Sequence, residues 1–280
     1  MQRIASVAGM RAAAAKERTA GRRIGFVPTM GALHAGHLSL IDLARPRSDT
    51  VIASVFVNPT QFGPGEDFDR YPRDLEGDSR LLAQAGADIL FAPSAEEMYP
   101  PGASTYVNVE GLSDRLCGRS RPGHFRSVAT VVSKLFHIVE PHVAVFGQKD
   151  AVQLAVIRRM VRDLDLDIEI IAAPIVREPV GLAMSSRNRY LGGEERHQAL
   201  ALYRALTQAQ KAFAGGEKDP SRLRDGMAAL LRAAPSVSLE YAEIVDADSL
   251  LPVESVRPGA LFAVAAKVGT TRLIDNIVLG

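Results

Sequence analysis

The feature that most limits the fold is an alternation in the first half of the chain, where short apolar runs take turns with segments of helical periodicity. Residues 24–27, 51–57, 88–91, 143–146 and 168–172 read as strands, and residues 38–45, 75–84, 128–139 and 150–163 as helices. Strands separated by helices predict a parallel sheet joined by right-handed crossovers, hence an α/β, Rossmann-like N-terminal domain. The second half changes pattern. Residues 194–214 form a long Ala- and Leu-rich helical stretch stopped at Gly215-Gly216, and residues 223–231 a second helix. Residues 239–245, 261–268 and 272–278 then read as clustered strands, which predicts a smaller α+β C-terminal domain. The junction falls within 172–189, and the boundary is set at 175/176: residues 1–175 as the Rossmann-like domain, residues 176–280 as the smaller one.

The charge balance narrows the partners. Lys plus Arg (33) nearly cancels Asp plus Glu (32), so a chain of net charge +1 has no strong attraction to nucleic acid or to an anionic membrane. The alanine run at 12–15 is closed by Lys16, Glu17 and Arg18 and is too short for a secretory apolar core. No apolar stretch approaches the ~20 residues a spanning helix needs. The only cysteine, Cys117, excludes an intrachain disulfide and suits a reducing compartment. A cytoplasmic protein is expected.

Three clusters carry candidate chemistry. Between the first strand and the first helix lies His34-Ala35-Gly36-His37. Ligands of open α/β sheets gather at the carboxyl ends of strands, and a helix N-terminus there offers N–H groups to phosphate. The two histidines, three apart, project to one side and can donate to phosphate oxygens. Read alone, the pattern also fits a chance pair of surface histidines, while a zinc site lacks a third ligand. Gly147-Gln148-Lys149-Asp150 follows a second strand and opens another helix, with Lys149 placed to reach phosphate and Asp150 as a helix cap. By itself this reads first as a solvated lysine and a capping aspartate. Met184-Ser185-Ser186-Arg187 lies at the junction, where hydroxyls and a guanidinium can bind polyphosphate, or form a polar linker. Gln61 and Gln153 are neutral amides able to bind hydroxyls or a carboxylate. Arg119, Arg121, His124 and Arg126 form a basic stretch that reads as an anion site or as a solvated loop.

Taken together these segments resemble the pantothenate synthetase (pantoate–β-alanine ligase) family, within the wider HxGH nucleotidyltransferases. The matching stretches are PTMGALHAGHLSL (28–40), VFVNPTQF (55–62), YPRDLEGD (71–78), RPGHFRSVATVVSKLF (121–136), FGQKDAVQLAVIRRM (146–160), PIVRE (174–178), GLAMSSRNRYL (181–191) and TRLIDN (271–276).

The resemblance implies ATP-dependent ligation of (R)-pantoate with β-alanine through a pantoyl adenylate, releasing AMP and pyrophosphate. It implies ATP contacts at Met30, Gly31, Ala32, Leu33, His34, Ala35, Gly36 and His37, at Gly147, Gln148, Lys149 and Asp150, and at Val176, Met184, Ser185, Ser186 and Arg187. His37, with His34, Lys149 and Arg187, would carry the chemistry. Gln61 would bind pantoate and lie near β-alanine, and Gln153 would bind pantoate. No protein-held metal is expected; Mg²⁺ would arrive with ATP, with Asp78 considered only as an outer-sphere ligand and left out of the site. A cytoplasmic homodimer with contacts in the N-terminal domain, and a C-terminal domain acting as a lid, complete the expectation. The chain departs from the family's pattern at Ser127, His142, Val145, Val152, Ile175 and Val180, none of them a residue assigned to chemistry.

Overall fold

The computed structural model describes residues 1–280. Cα packing divides the chain into two compact units: Met1–Asp114, Gly118–Gly147 and Val156–Pro174 form the first, and Arg115–Cys117, Gln148–Ala155 and Ile175–Gly280 the second. The C-terminal division falls after Pro174. The sequence reading did not anticipate that Gln148–Ala155, which carries Lys149, Asp150 and Gln153, packs with the second unit.

The first unit follows the alternation. In chain order it contains β1 (Gln2–Ile4), α1 (Val7–Thr19), β2 (Ile24–Thr29), α2 (Ala35–Ala44), β3 (Thr50–Val55), α3 (Leu75–Gln84), β4 (Ile89–Phe91) and the short α4 (Ala95–Met98). After α5 (Cys117–Ser120) come α6 (His124–Val139), β5 (Val143–Gly147), α7 (Ala151–Asp163) and β6 (Glu169–Ala173), although Cys117 and the first five residues of α7 pack with the second unit. The six strands form one parallel sheet in the order β1-β4-β3-β2-β5-β6. Strands covered on both faces must be apolar throughout, and Ile24, Phe26, Val27, Val51, Ile52 and Ala53 are completely buried. From β2 the chain moves to β3 and β4 on one side and later to β5 and β6 on the other. The order therefore reverses between β2 and β5, and such a switch point is where open α/β sheets bind ligands.

The elements that periodicity missed have physical reasons. β1 is only three residues long, and α1 buries only Met10 and Ala14, so neither shows an apolar face. Two helices of the first unit start earlier than expected. α2 begins at Ala35 because His34 caps it, and α6 at His124 because Gly123, at φ 79°, turns the chain into it.

The second unit contains α8 (Gly193–Ala214), α9 (Pro220–Arg232) and an antiparallel sheet β7-β8-β9, from Val237–Asp246, Ala260–Val268 and Thr271–Val278. Leu202 and Leu206 of α8, Met227 and Leu231 of α9, and Phe262 and Val264 of β8 share its core. The region expected as a linker is ordered. Arg177 and Ala183 face each other across an antiparallel bridge, Glu178 and Leu182 are bonded backbone to backbone, and Gly181 turns the chain at φ 100°. A side chain at Gly181 would strike the Tyr203 ring.

Candidate functional site

In the first unit the turn after β2 is built by side chains that consume its amides. Gly31 (φ 84°) and Ala32 (φ 52°) are both left-handed. Thr29 Oγ1 accepts from the Gly31 amide at 3.2 Å and donates to the Ser54 carbonyl at 2.8 Å. Asp78, on α3 and 4% exposed, accepts from the amides of Ala32 (2.9 Å) and Leu33 (2.8 Å), one on each carboxylate oxygen. A Cβ at Gly31 would lie 2.8 Å from Asp78 Oδ2, so the turn and the carboxylate are in close contact. The amides of Gly31, Ala32 and Leu33 are satisfied within the protein, and the N–H groups that the sequence reading gave to phosphate belong to the helix N-terminus that follows at Ala35. Asp78 is therefore the brace of the turn, a role the reading of it as an outer-sphere metal ligand missed.

The two histidines are fixed the same way. His34 caps α2, its Nδ1 accepting from the Gly36 amide at 3.1 Å, and His37 Nδ1 accepts from the His34 amide at 3.3 Å. The rings lie 4.1 Å apart between centroids. With Nδ1 an acceptor in both, each neutral ring carries its proton on Nε2, which makes that atom the donor.

The neighbouring strand end forms a second polar turn. After β3, the buried Asn58 accepts from the amide and hydroxyl of Thr60 (3.3 and 3.0 Å), and its Nδ2 lies 3.5 Å from Gln61 Oε1. The Gln61 carbonyl is held from α6 by His124 Nδ1 (2.9 Å) and from the preceding loop by Arg121 (3.4 Å). Arg121 in turn grips Glu66 with two hydrogen bonds (2.7 and 2.6 Å). Burial alone would raise the Glu66 carboxyl, but these bonds and the Arg121 charge outweigh it and hold the group below its ordinary range. Arg126 lies over the Tyr106 ring at 4.8 Å. Arg121 and His124 of the basic stretch are thus neither an open anion site nor a solvated loop: they brace the Gln61 turn.

The second unit gathers the other candidates. Gln148–Asp150 form a 3₁₀ turn before α7, with Lys149 half-buried and Gln153 one turn further on. Met184 is tied to Val176 by an amide–carbonyl bond of 3.0 Å. Ser185 caps the 3₁₀ turn Ser186–Tyr190 by accepting from the Arg187 amide at 3.3 Å, so Ser185 and Arg187 are locked to each other. Below them the buried Asn188 donates to Glu178 (2.9 Å) and to the Ala183 carbonyl (3.1 Å). Asn58, Glu66, Asp78 and Asn188 have no chemistry-bearing motif of their own, and only the resemblance stretches VFVNPTQF, YPRDLEGD and GLAMSSRNRYL pointed toward three of them.

The departures from the family pattern are accommodated. Ser127 donates to the Thr60 carbonyl at 2.6 Å, His142 Nδ1 accepts from the Ile24 amide at 2.9 Å, and Val145 and Val152 are buried core positions. Val180 lies exposed at the tip of the 177–183 hairpin.

Comparison with known proteins follows the same lines. The family model for pantoate-beta-alanine ligase matches residues 2–278. The chain is 56% identical over 275 residues to the pantothenate synthetase of Pelotomaculum thermopropionicum, covering 98% of each chain. It is 55% identical over 280 residues to that of Thermotoga petrophila, covering 100% of each. Among solved structures, pantothenate synthetase from Thermus thermophilus superposes with a TM-score of 0.94 at 49% identity, over 99% of both chains. A pantoate-beta-alanine ligase from Francisella tularensis, complexed with beta-gamma ATP and beta-alanine, superposes with a TM-score of 0.82 at 33% identity, over 99% of this chain and 97% of that one.

Proposed function

The chain belongs to the pantoate–β-alanine ligase family, and on that premise we propose how its own residues ligate pantoate to β-alanine. ATP is the co-substrate, a reading supported by the nucleotide complex of the Francisella tularensis relative. In the first step a pantoate carboxylate oxygen attacks the α-phosphorus, and pyrophosphate leaves. Two anions must be brought together, so the protein's work is positioning and charge compensation. His37 donates from Nε2 toward the bridging or leaving oxygens, with His34 beside it. One such preoriented donor is typically worth ~3 kcal/mol of transition-state stabilisation. Lys149 and Arg187 neutralise phosphate charge, and Gln61 and Gln153 hold the hydroxyls of pantoate. In the second step the neutral amine of β-alanine attacks the acyl carbon, and the acyl–phosphate bond breaks to release AMP. Excluding water protects the adenylate between the steps, which is the lid role we assign to the second unit.

No group of three or more His, Cys, Asp or Glu side chains is arranged to hold a metal ion, and both oxygens of Asp78 already accept amides. We infer that Mg²⁺ arrives on the triphosphate, where it needs at most one or two protein carboxylates. No helix is long and apolar enough to cross a membrane. We assign the chain to the cytoplasm as a homodimer, and a monomer mass in sedimentation would contradict the second assignment.

The observation that carries the reading is the pair of imidazoles in contact at a mutual tilt of 40°, each fixed through Nδ1 by a backbone amide, at the carboxyl end of β2 beside the sheet's switch point. The test is AMP release from ATP. It should require pantoate and β-alanine together, and release without β-alanine at the full rate would overturn the two-step reading.

A further inference from the structure

The stretch TRLIDN (271–276) is part of the family resemblance, yet no role above uses it. Its last residue, Asn276 on β9, is 3% exposed, and its side chain bonds to the Lys149 turn within the second unit. Its Nδ2 donates to the carbonyls of Gln148 (3.0 Å) and Lys149 (2.9 Å), and its Oδ1 accepts from Gln148 Nε2 (3.2 Å). These two carbonyls belong to the two peptide planes that flank the Lys149 Cα. Fixing both planes fixes the φ and ψ of Lys149, and with them the direction in which its side chain leaves the backbone.

The neighbouring residue serves the other segment of the unit. Asp275, also 3% exposed, takes both arms of Arg177 (2.6 and 2.9 Å), and its Oδ1 accepts the Asn276 amide at 2.8 Å. Arg177 further donates to the Gly181 carbonyl (3.1 Å) and lies over the Tyr203 ring at 4.1 Å. It sits on the hairpin that leads into Met184 and Arg187. Consecutive residues of one strand thus anchor both segments of this unit that carry candidate phosphate ligands. A polar side chain kept only to fill space would be better replaced by an apolar one, because burying an amide has a cost unless each polar atom finds a partner. Here all the side-chain partners are at the turn.

We propose that Asn276 is a positioning residue of the ligase reaction: by pinning the peptide planes on either side of Lys149 it aims the ammonium group, and ATP binding depends on it. This rests on the reading of Lys149 as a phosphate ligand.

The test compares full-length Asn276→Ala, Asn276→Asp, Lys149→Ala and the double variant Lys149→Ala/Asn276→Ala. KM for ATP, KM for β-alanine, pyrophosphate-release rate and thermal midpoint are measured for each. Asn276→Asp keeps the volume but loses the donors, so it serves even where the alanine variant does not fold. Both Asn276 variants should raise KM for ATP roughly 10- to 100-fold, the scale of a misplacement of about 1 Å, with KM for β-alanine unchanged. The double variant should be no worse than Lys149→Ala. A kcat loss with both KM values unchanged, or losses that multiply in the double variant, would assign Asn276 a merely structural role and overturn the proposal while Lys149 keeps its own. A wild-type KM for ATP in Lys149→Ala would instead remove the Lys149 reading, and the proposal with it.

Discussion

Ala32 is an L-residue held at φ 52°, a conformation that costs on the order of 1–3 kcal/mol and persists only where its surroundings impose it. What imposes it is Asp78, through amide bonds at Ala32 and Leu33. Hydrogen bonds to a charged partner contribute about 1.5–3 kcal/mol each, enough to offset the strain. Asp78→Asn puts an N–H donor where one oxygen accepts and so breaks at least one of them. Its unfolding free energy in urea should fall by about 2 kcal/mol, and pantoate-dependent pyrophosphate release by roughly 10- to 100-fold. Unchanged release at reduced stability would show that the histidine turn keeps its shape without the brace. The HxGH pair was legible in the sequence because its geometry is local: His34 and His37 are one helical turn apart. Asp78 was not, because its partners lie on another element and nothing in the spacing of 32 and 78 predicts their contact. The resemblance stretch YPRDLEGD contains the residue, but nothing in it names the amides of Ala32 and Leu33 as its partners.

Elements transmit such placements over longer distances. The Gln61 turn leaves β3, yet its carbonyl is held by Arg121 and His124 at the start of α6, and Ser127 on the same helix bonds the Thr60 carbonyl. Removing the Arg121–Glu66 grip by Arg121→Ala should raise KM for pantoate about tenfold and leave KM for ATP unchanged; equal changes in both would point to general loosening of the unit. A second link joins β2 and β5, where His142 Nδ1 accepts from the Ile24 amide. Burial, aided by the charges of Arg18 and Arg23, lowers the His142 pKa from its ordinary 6.5. The unfolded chain then takes up this proton first as pH falls. The histidine's contribution is complete above about pH 6.5 and is lost progressively as pH drops toward the lowered folded value. Aspartate stays an acceptor over that range, so His142→Asp should flatten the fall of urea stability below about pH 6.5. A slope identical to wild type would contradict the assignment. Most strands and helices were readable from periodicity because their burial is periodic. Their ends were not, since His34 and Gly123 set the starts of α2 and α6 through caps and turn angles that a pattern of apolar residues does not contain.

At the scale of the molecule, the change from alternating strands and helices to helices followed by strands marked two regions correctly in character, one built on a parallel sheet and one on an antiparallel sheet. Hidden from the sequence was the allegiance of Gln148–Ala155, which follows a strand of the first unit but packs with the second. The bonds from Asn276 to the carbonyls of Gln148 and Lys149 account for it physically, and they span most of the chain's second half. The chemistry proposed for the ligase accordingly draws on residues of both units: His34, His37 and Gln61 from the first, Lys149, Gln153 and Arg187 from the second. The most direct measurement of that claim is pyrophosphate release from ATP and pantoate, without β-alanine, in His37→Ala, Lys149→Ala and Arg187→Ala proteins. Each should lose at least about a hundredfold in rate, as expected on removing one preoriented donor or charge from the phosphoryl-transfer step. Wild-type rates in all three would contradict the account.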